Sequence, residues 1–145
     1  MKMKLKRKIF YCILLSILFI IVFPIIKNKV LDKKYTVYIE TTGDKNDLSK
    51  GTEIWIDSIS KDGVLVANES IALQNGWEFN GRIFSPGNKK YKLKLNIRYR
   101  KNAKIKFIKH EYSGIVNIID GNGNKLTVDL YSSKQEIYEY DLNKK

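Results

Sequence analysis

Three groups of residues could carry chemistry in this chain. The first joins His110-Glu111 to Asp120-Gly121-Asn122-Gly123-Asn124: one imidazole, a carboxylate and a run of oxygen donors. Asp120-x-Asn122-x-Asn124 imitates the opening of a calcium loop, whose ligands sit at alternate positions. The imitation stops there. Such a loop needs glycine at its sixth position and a bidentate glutamate at its twelfth, and here Lys125 and Tyr131 stand in those places. A Gly/Asn turn between two strands accounts for the same residues. His110 is the only histidine, so no two-histidine metal set can form, and on a strand His110 and Glu111 would point to opposite faces. Neither G-x-S-x-G nor H-x-x-x-H occurs. Carboxylates such as Glu53 and Asp57 have no motif around them that marks acid–base work. The expectation is a non-catalytic protein with no metal and no cofactor.

The second group is basic. From Arg82 to Lys109 there are eleven Lys and Arg and no acid. If strands 91–100 and 104–110 form a hairpin through Lys101-Asn102-Ala103, Arg100 faces Lys104 and Arg98 faces Lys106. Like charges placed opposite each other destabilise a sheet. Such a face would be relieved by anions: phospholipid headgroups, teichoic-acid phosphates or acidic glycans. The alternative is a solvated face whose lysines block edge-to-edge pairing. The third group is "NGWEFNG" (75–81). An exposed Trp77 beside Glu78 and Asn80 could stack on a sugar face and hold its hydroxyls. The alternative is a core tryptophan turned inward with Phe79. Trp55, in "EIWID", poses the same choice.

The elements that position these groups read as strands. From Tyr35 onward no segment has a helical apolar period. Short alternating runs recur between turns: 35–40, 52–59, 64–67, 70–73, 77–85, 91–100, 104–110, 115–120, 126–132 and 136–142. Asp62-Gly63 marks a hairpin, and Pro86-Gly87-Asn88 a turn. The clearest strand is "YKLKLNIRYR", where Tyr91, Leu93, Leu95, Ile97 and Tyr99 share one face. The expected fold is all-β: an antiparallel β-sandwich, with a jelly roll as first choice and an immunoglobulin-like sandwich as second.

Net charge is +12, from 27 Lys and Arg against 15 Asp and Glu. Residues 1–34 hold nine of the basic residues and one acid, Asp32, so they carry +8. That charge flanks one uncharged segment, Ile9–Ile26, and is not a nucleic-acid signature. As a helix at about 1.5 Å per residue the segment would be about 27 Å long, near the thickness of a bilayer's hydrocarbon. No A-x-A-like cleavage site follows it, which favours an uncleaved anchor over a signal peptide. The expected organisation is a basic cytoplasmic tail (1–8), a transmembrane signal anchor (9–26), a charged linker (27–34) and an extracytoplasmic domain (35–145) at the cell membrane. Cys12, the only cysteine, cannot form an internal disulfide and reads as a lipid-facing side chain.

"GTEIWIDSI", "LQNGWEFNG" and "FIKHEYSGIVNIIDGNGNKLTVDLYS" together resemble the extracytoplasmic β-sandwich modules of bacterial membrane proteins of cell-surface polysaccharide assembly. The resemblance covers most of residues 52–132. It implies a non-catalytic, carbohydrate-associated module, although this chain shows one apolar segment and no transferase region. The expected function is to bind or position a cell-envelope glycan or another anionic polymer, through Trp77, Glu78 and Asn80 or through Arg98, Arg100, Lys104 and Lys106. The alternative is an accessory subunit that binds another membrane or envelope protein.

Overall fold

The computed structural model describes residues 2–30, 32–67, 70–74 and 76–144, with the side chains of the N-terminal helix described over 10–24. The chain divides into two compact units at Asp32/Lys33. The first is one helix, α1, Lys2–Val30, with Pro24 inside it. Among the described residues no helix is long and apolar enough to cross a membrane. Ile9, Ile25 and Ile26, which end the run expected to span, lie outside the described side chains.

The second unit is all-β. Its strands are β1 (Lys33–Thr41), β2 (Ile54–Lys61), β3 (Val64–Leu65), β4 (Glu78–Phe79), β5 (Ile83–Ser85), β6 (Lys92–Tyr99), β7 (Ala103–Lys109), β8 (Ile115–Asp120), β9 (Lys125–Asp129) and β10 (Glu136–Asp141). They form two antiparallel sheets, β6-β1-β8-β9 and β10-β7-β2-β5-β4, with β3 paired to β2. Val37, Ile39, Leu93, Leu95 and Ile97 from the first sheet share one buried cluster with Ile54, Ile56, Ile83, Ile105 and Phe107 from the second. The arrangement is sandwich-like: each sheet turns its branched aliphatic positions inward and its alternate positions out. β6 shows this most regularly, with Leu93, Leu95, Ile97 and Tyr99 buried and Lys92, Lys94, Asn96 and Arg98 exposed.

Three expected features differ. Residues 70–73 form no strand, and the run 77–85 is split by a turn at Asn80–Arg82 into β4 and β5. The hairpin between 91–100 and 104–110 does not form. β6 pairs with β1, while β7 pairs with β2 and β10 in the other sheet. Asp62 explains the separation. It sits at φ 51° before Gly63 at φ 82°, both in the left-handed region that a tight β2–β3 turn requires. From there its carboxylate accepts the backbone N–H groups of Arg100, Lys101 and Asn102. These bonds hold the carboxyl below the usual carboxylate range. The connection after β6 is thereby tied to the end of β2, and β7 enters the sheet beside β2.

Candidate functional site

On the outward side of the second sheet, one cross-strand row runs over five strands. Glu78 lies opposite Phe84, Phe84 opposite Trp55, Trp55 opposite Ile108, and Ile108 opposite Ile137. The sequence dictates this for Trp55: Ile54 and Ile56 are fully buried, so the residue between them must face out. Its ring meets Phe84 at 4.4 Å between centroids, tilted 42°. The position of β2 is fixed by close backbone packing. A side chain at Gly87 or Gly114 would run into the Thr52 carbonyl just before the strand.

Polar groups border this row. Trp55 Nε1–H donates to Glu53 Oε2 at 2.8 Å, and His110 Nε2 lies 4.0 Å from the same oxygen. His110 Nδ1 accepts the Tyr112 N–H at 3.1 Å, so in the neutral ring the proton sits on Nε2, toward Glu53. Across the row, Arg82 Nε donates to Asp57 Oδ1 at 3.1 Å. Glu53, Trp55, Arg82, Ile108, His110 and Gln135 line a shallow recess of about 270 Å³. An aromatic and aliphatic strip edged by carboxylate, guanidinium, imidazole and amide groups can stack on an apolar ring face and bond to hydroxyls around it.

The residues expected to bind glycan are divided. Trp77 is not exposed: it is 4% accessible and belongs to the core cluster. Its backbone N–H closes a turn onto Gln74 O, and Gly76 before it, at positive φ, packs on the Tyr91 ring. The indole is thus folded inward, while Phe79 is 38% accessible. Glu78 is exposed at the end of the aromatic row, and Asn80 is exposed in the β4–β5 turn. The tryptophan that faces outward is Trp55, between the buried Ile54 and Ile56. The signal for Trp55 was present in the alternation of "EIWID".

The basic quartet is also divided. Arg98 lies on the first sheet opposite Lys34. Arg100 follows β6 in the connection held by Asp62. Lys104 and Lys106 lie on β7, where Glu139 of β10 pairs with both, at 2.6 and 4.0 Å. The four do not form one face. Instead, the outward side of the first sheet gathers Lys34, Lys92, Lys94 and Arg98, with Lys125 two strands away. Tyr38 stands among them, its ring centroid 4.4 Å from Lys92 Nζ and 5.9 Å from Lys94 Nζ. The open recess beside them, about 620 Å³, is lined by Lys34, Thr36, Tyr38, Lys94, Asn122 and Asn143, among others.

Asp120 organises a turn. Oδ1 accepts the N–H groups of Asn122 and Asn124, and Oδ2 accepts the Asn124 amide at 2.8 Å. Glu111 pairs with Lys50. Among the described residues no group of three His, Cys, Asp or Glu side chains could hold a metal ion. Comparison with known proteins finds no family model, no curated sequence and no solved structure that matches the chain.

Proposed function

We propose that this protein is a single-pass, membrane-anchored, non-catalytic module whose extracytoplasmic domain binds a cell-envelope glycan. The observation that carries the reading is the outward row Phe84–Trp55–Ile108–Ile137, with Glu53, His110, Gln135 and Arg82 at its borders. Stacking supplies affinity that tolerates rotation of the sugar, and the bordering groups select hydroxyl or acidic substituents. Glu53 and Asp57 serve here as fixed hydrogen-bond acceptors, since each already holds a neighbouring donor.

The anchor is inferred from the uncharged run Ile9–Ile26 and its basic flanks. It is supported by the described helix side chains, Phe10–Pro24, all exposed and none charged. The jelly roll is preferred over the immunoglobulin-like sandwich because the chain repeatedly changes sheet, at β1–β2, β5–β6, β6–β7, β7–β8 and β9–β10. The first sheet supports a second ligand class, an anionic polymer, through its concentration of Lys34, Lys92, Lys94 and Arg98.

One preparation tests the reading: the full chain extracted from membranes in detergent and applied to a glycan array. Retention of a defined glycan class is expected, lost at least tenfold in Trp55→Ala and unchanged in Leu48→Ala, an exposed residue outside the row. A Trp55→Ala variant that binds like the wild type removes the glycan site. The intact mass of the same preparation should include residues 9–26; a chain beginning near Lys27 removes the anchor.

A further inference from the structure

β6 ends the first sheet, and among the described residues its edge is capped at both ends and unpaired in the middle. Thr41 N–H bonds to Tyr91 O on the β1 side, so the odd-numbered residues of β6 pair with β1. The even-numbered ones direct their backbone N–H and C=O groups away from the sheet. Two of these outward N–H groups are taken within the chain: Lys94 N–H bonds to the Gln74 side-chain oxygen, and Arg100 N–H to the Asp62 carboxylate. Between the caps lie Asn96 and Arg98, whose backbone groups bond to none of the described residues. Beside that gap is a recess of about 330 Å³. Ile59, Val66 and Ile71 contribute apolar surface to it, and Lys61, Lys94 and Arg98 contribute charge.

We infer that the Asn96–Arg98 edge of β6 receives an extended, acidic segment of another protein as an added strand, with an apolar side chain seated in the adjoining recess. Backbone bonding to these outward N–H and C=O groups would supply affinity, and alternate side chains specificity. Charge decides the occupant. A second copy of the same edge, antiparallel and centred on Asn96, would place Lys94 against Arg98 and Lys92 against Arg100. Like charges directly opposite disfavour that pairing, which is how lysine-bearing edges avoid self-association. A segment alternating Asp or Glu with Val, Ile or Leu meets both requirements, since one set of its side chains faces the lysines and the other enters the recess.

The test uses the full chain in detergent, panned against a random heptapeptide display library. Enriched peptides should alternate acidic and apolar residues. They should bind at least tenfold more weakly to Asn96→Pro, which removes an outward N–H and leaves the β1 ladder intact, and to Arg98→Glu, which leaves the backbone unchanged. Peptide should slow hydrogen exchange at the Asn96 and Arg98 amides, and Trp55→Ala should bind peptide as the wild type does. Failure of the glycan site therefore leaves this result standing. No enrichment, enriched peptides without acids, or equal binding to both variants would overturn the inference. So would a concentration-dependent dimer that Asn96→Pro dissolves, because the edge would then belong to a second copy.

Discussion

On the sheet of β10, β7, β2, β5 and β4, outward cations have partners: Lys104 and Lys106 share Glu139, and Arg82 holds Asp57. On the sheet of β6, β1, β8 and β9 they are crowded together. Lys34, Lys92, Lys94, Arg98 and Lys125 face out with Glu40, and with Asp129 at the far corner. Under the proposed function, the contrast separates two ways of meeting a polymer. The first face has little net charge and an aromatic row, which suits short-range stacking. The second has charge around a single tyrosine, which suits long-range attraction screened by salt. A count of lysines along the chain cannot distinguish them, because the compensating acids arrive from other strands, 25 residues from Arg82 for Asp57 and 35 from Lys104 for Glu139.

Both faces depend on the inward set of residues, so the largest effect comes from breaking it. Leu95→Asp would bury an uncompensated carboxylate among Val37, Ile97 and their neighbours. It is expected to cost several kcal/mol, enough to unfold a domain of ordinary stability. Lys94→Asp, one residue along and exposed, should cost under about 1 kcal/mol. Urea melts that move equally for the two variants would mean that the faces of β6 are misassigned, and with them the basic surface.

A smaller effect sharpens the charge contrast itself. Replacing Lys34, Lys92, Lys94 and Arg98 together by Ser should abolish binding to anionic vesicles or teichoic acid. The melting temperature should stay level or rise, since repulsion is removed as well. In the wild type, that binding should weaken markedly as salt rises past the point where the screening length falls to about 8 Å. Replacing Lys104 and Lys106 by Ser should leave polyanion binding within about twofold, because Glu139 already offsets half of that pair's charge. If the second variant loses binding and the first keeps it, the electrostatic surface lies on the other sheet.

The part of this design that was legible in the sequence is the local part. Strand parity is set by neighbours two residues apart, so the buried and exposed sides of β6 could be read from "YKLKLNIRYR". Which strand lies beside β6 is non-local. A three-residue connection at Lys101-Asn102-Ala103 suits a hairpin, and nothing adjacent reveals that the Asp62 carboxylate takes its N–H groups. The two tryptophans, both left open between core and surface, are settled by different kinds of information. Glycines and polar neighbours around Trp77 suggest a loop tip, yet the turn from Gln74 folds the ring inward. At Trp55 the flanking isoleucines alone decide the orientation. The recess of Glu53, His110 and Gln135 joins three separate segments, and no spacing rule links them.

The smallest effect concerns the residue that keeps the two faces apart. Asp62 carries the chain from the basic sheet to the compensated one by holding the N–H groups of Arg100, Lys101 and Asn102. Those bonds favour its ionised form and lower its pKa, with Lys101 and then Arg100 the main contributors. A carboxylate whose pKa is lower folded than unfolded binds fewer protons in the native state. Its contribution is therefore fully present above the unfolded value, about 3.9, and is lost as pH falls through the folded value. Asp62→Asn keeps a side chain that tolerates positive φ but removes the charge. The variant should melt slightly below the wild type at pH 7, and the gap should close as pH falls through the folded value. Exposure makes the effect modest, smaller than either of the two above. Hydrogen exchange at the Arg100 and Lys101 amides provides the local readout, and it should quicken in the variant at pH 7. A gap in melting temperature that persists unchanged at low pH would mean that turn geometry, and not the charge, holds the crossing.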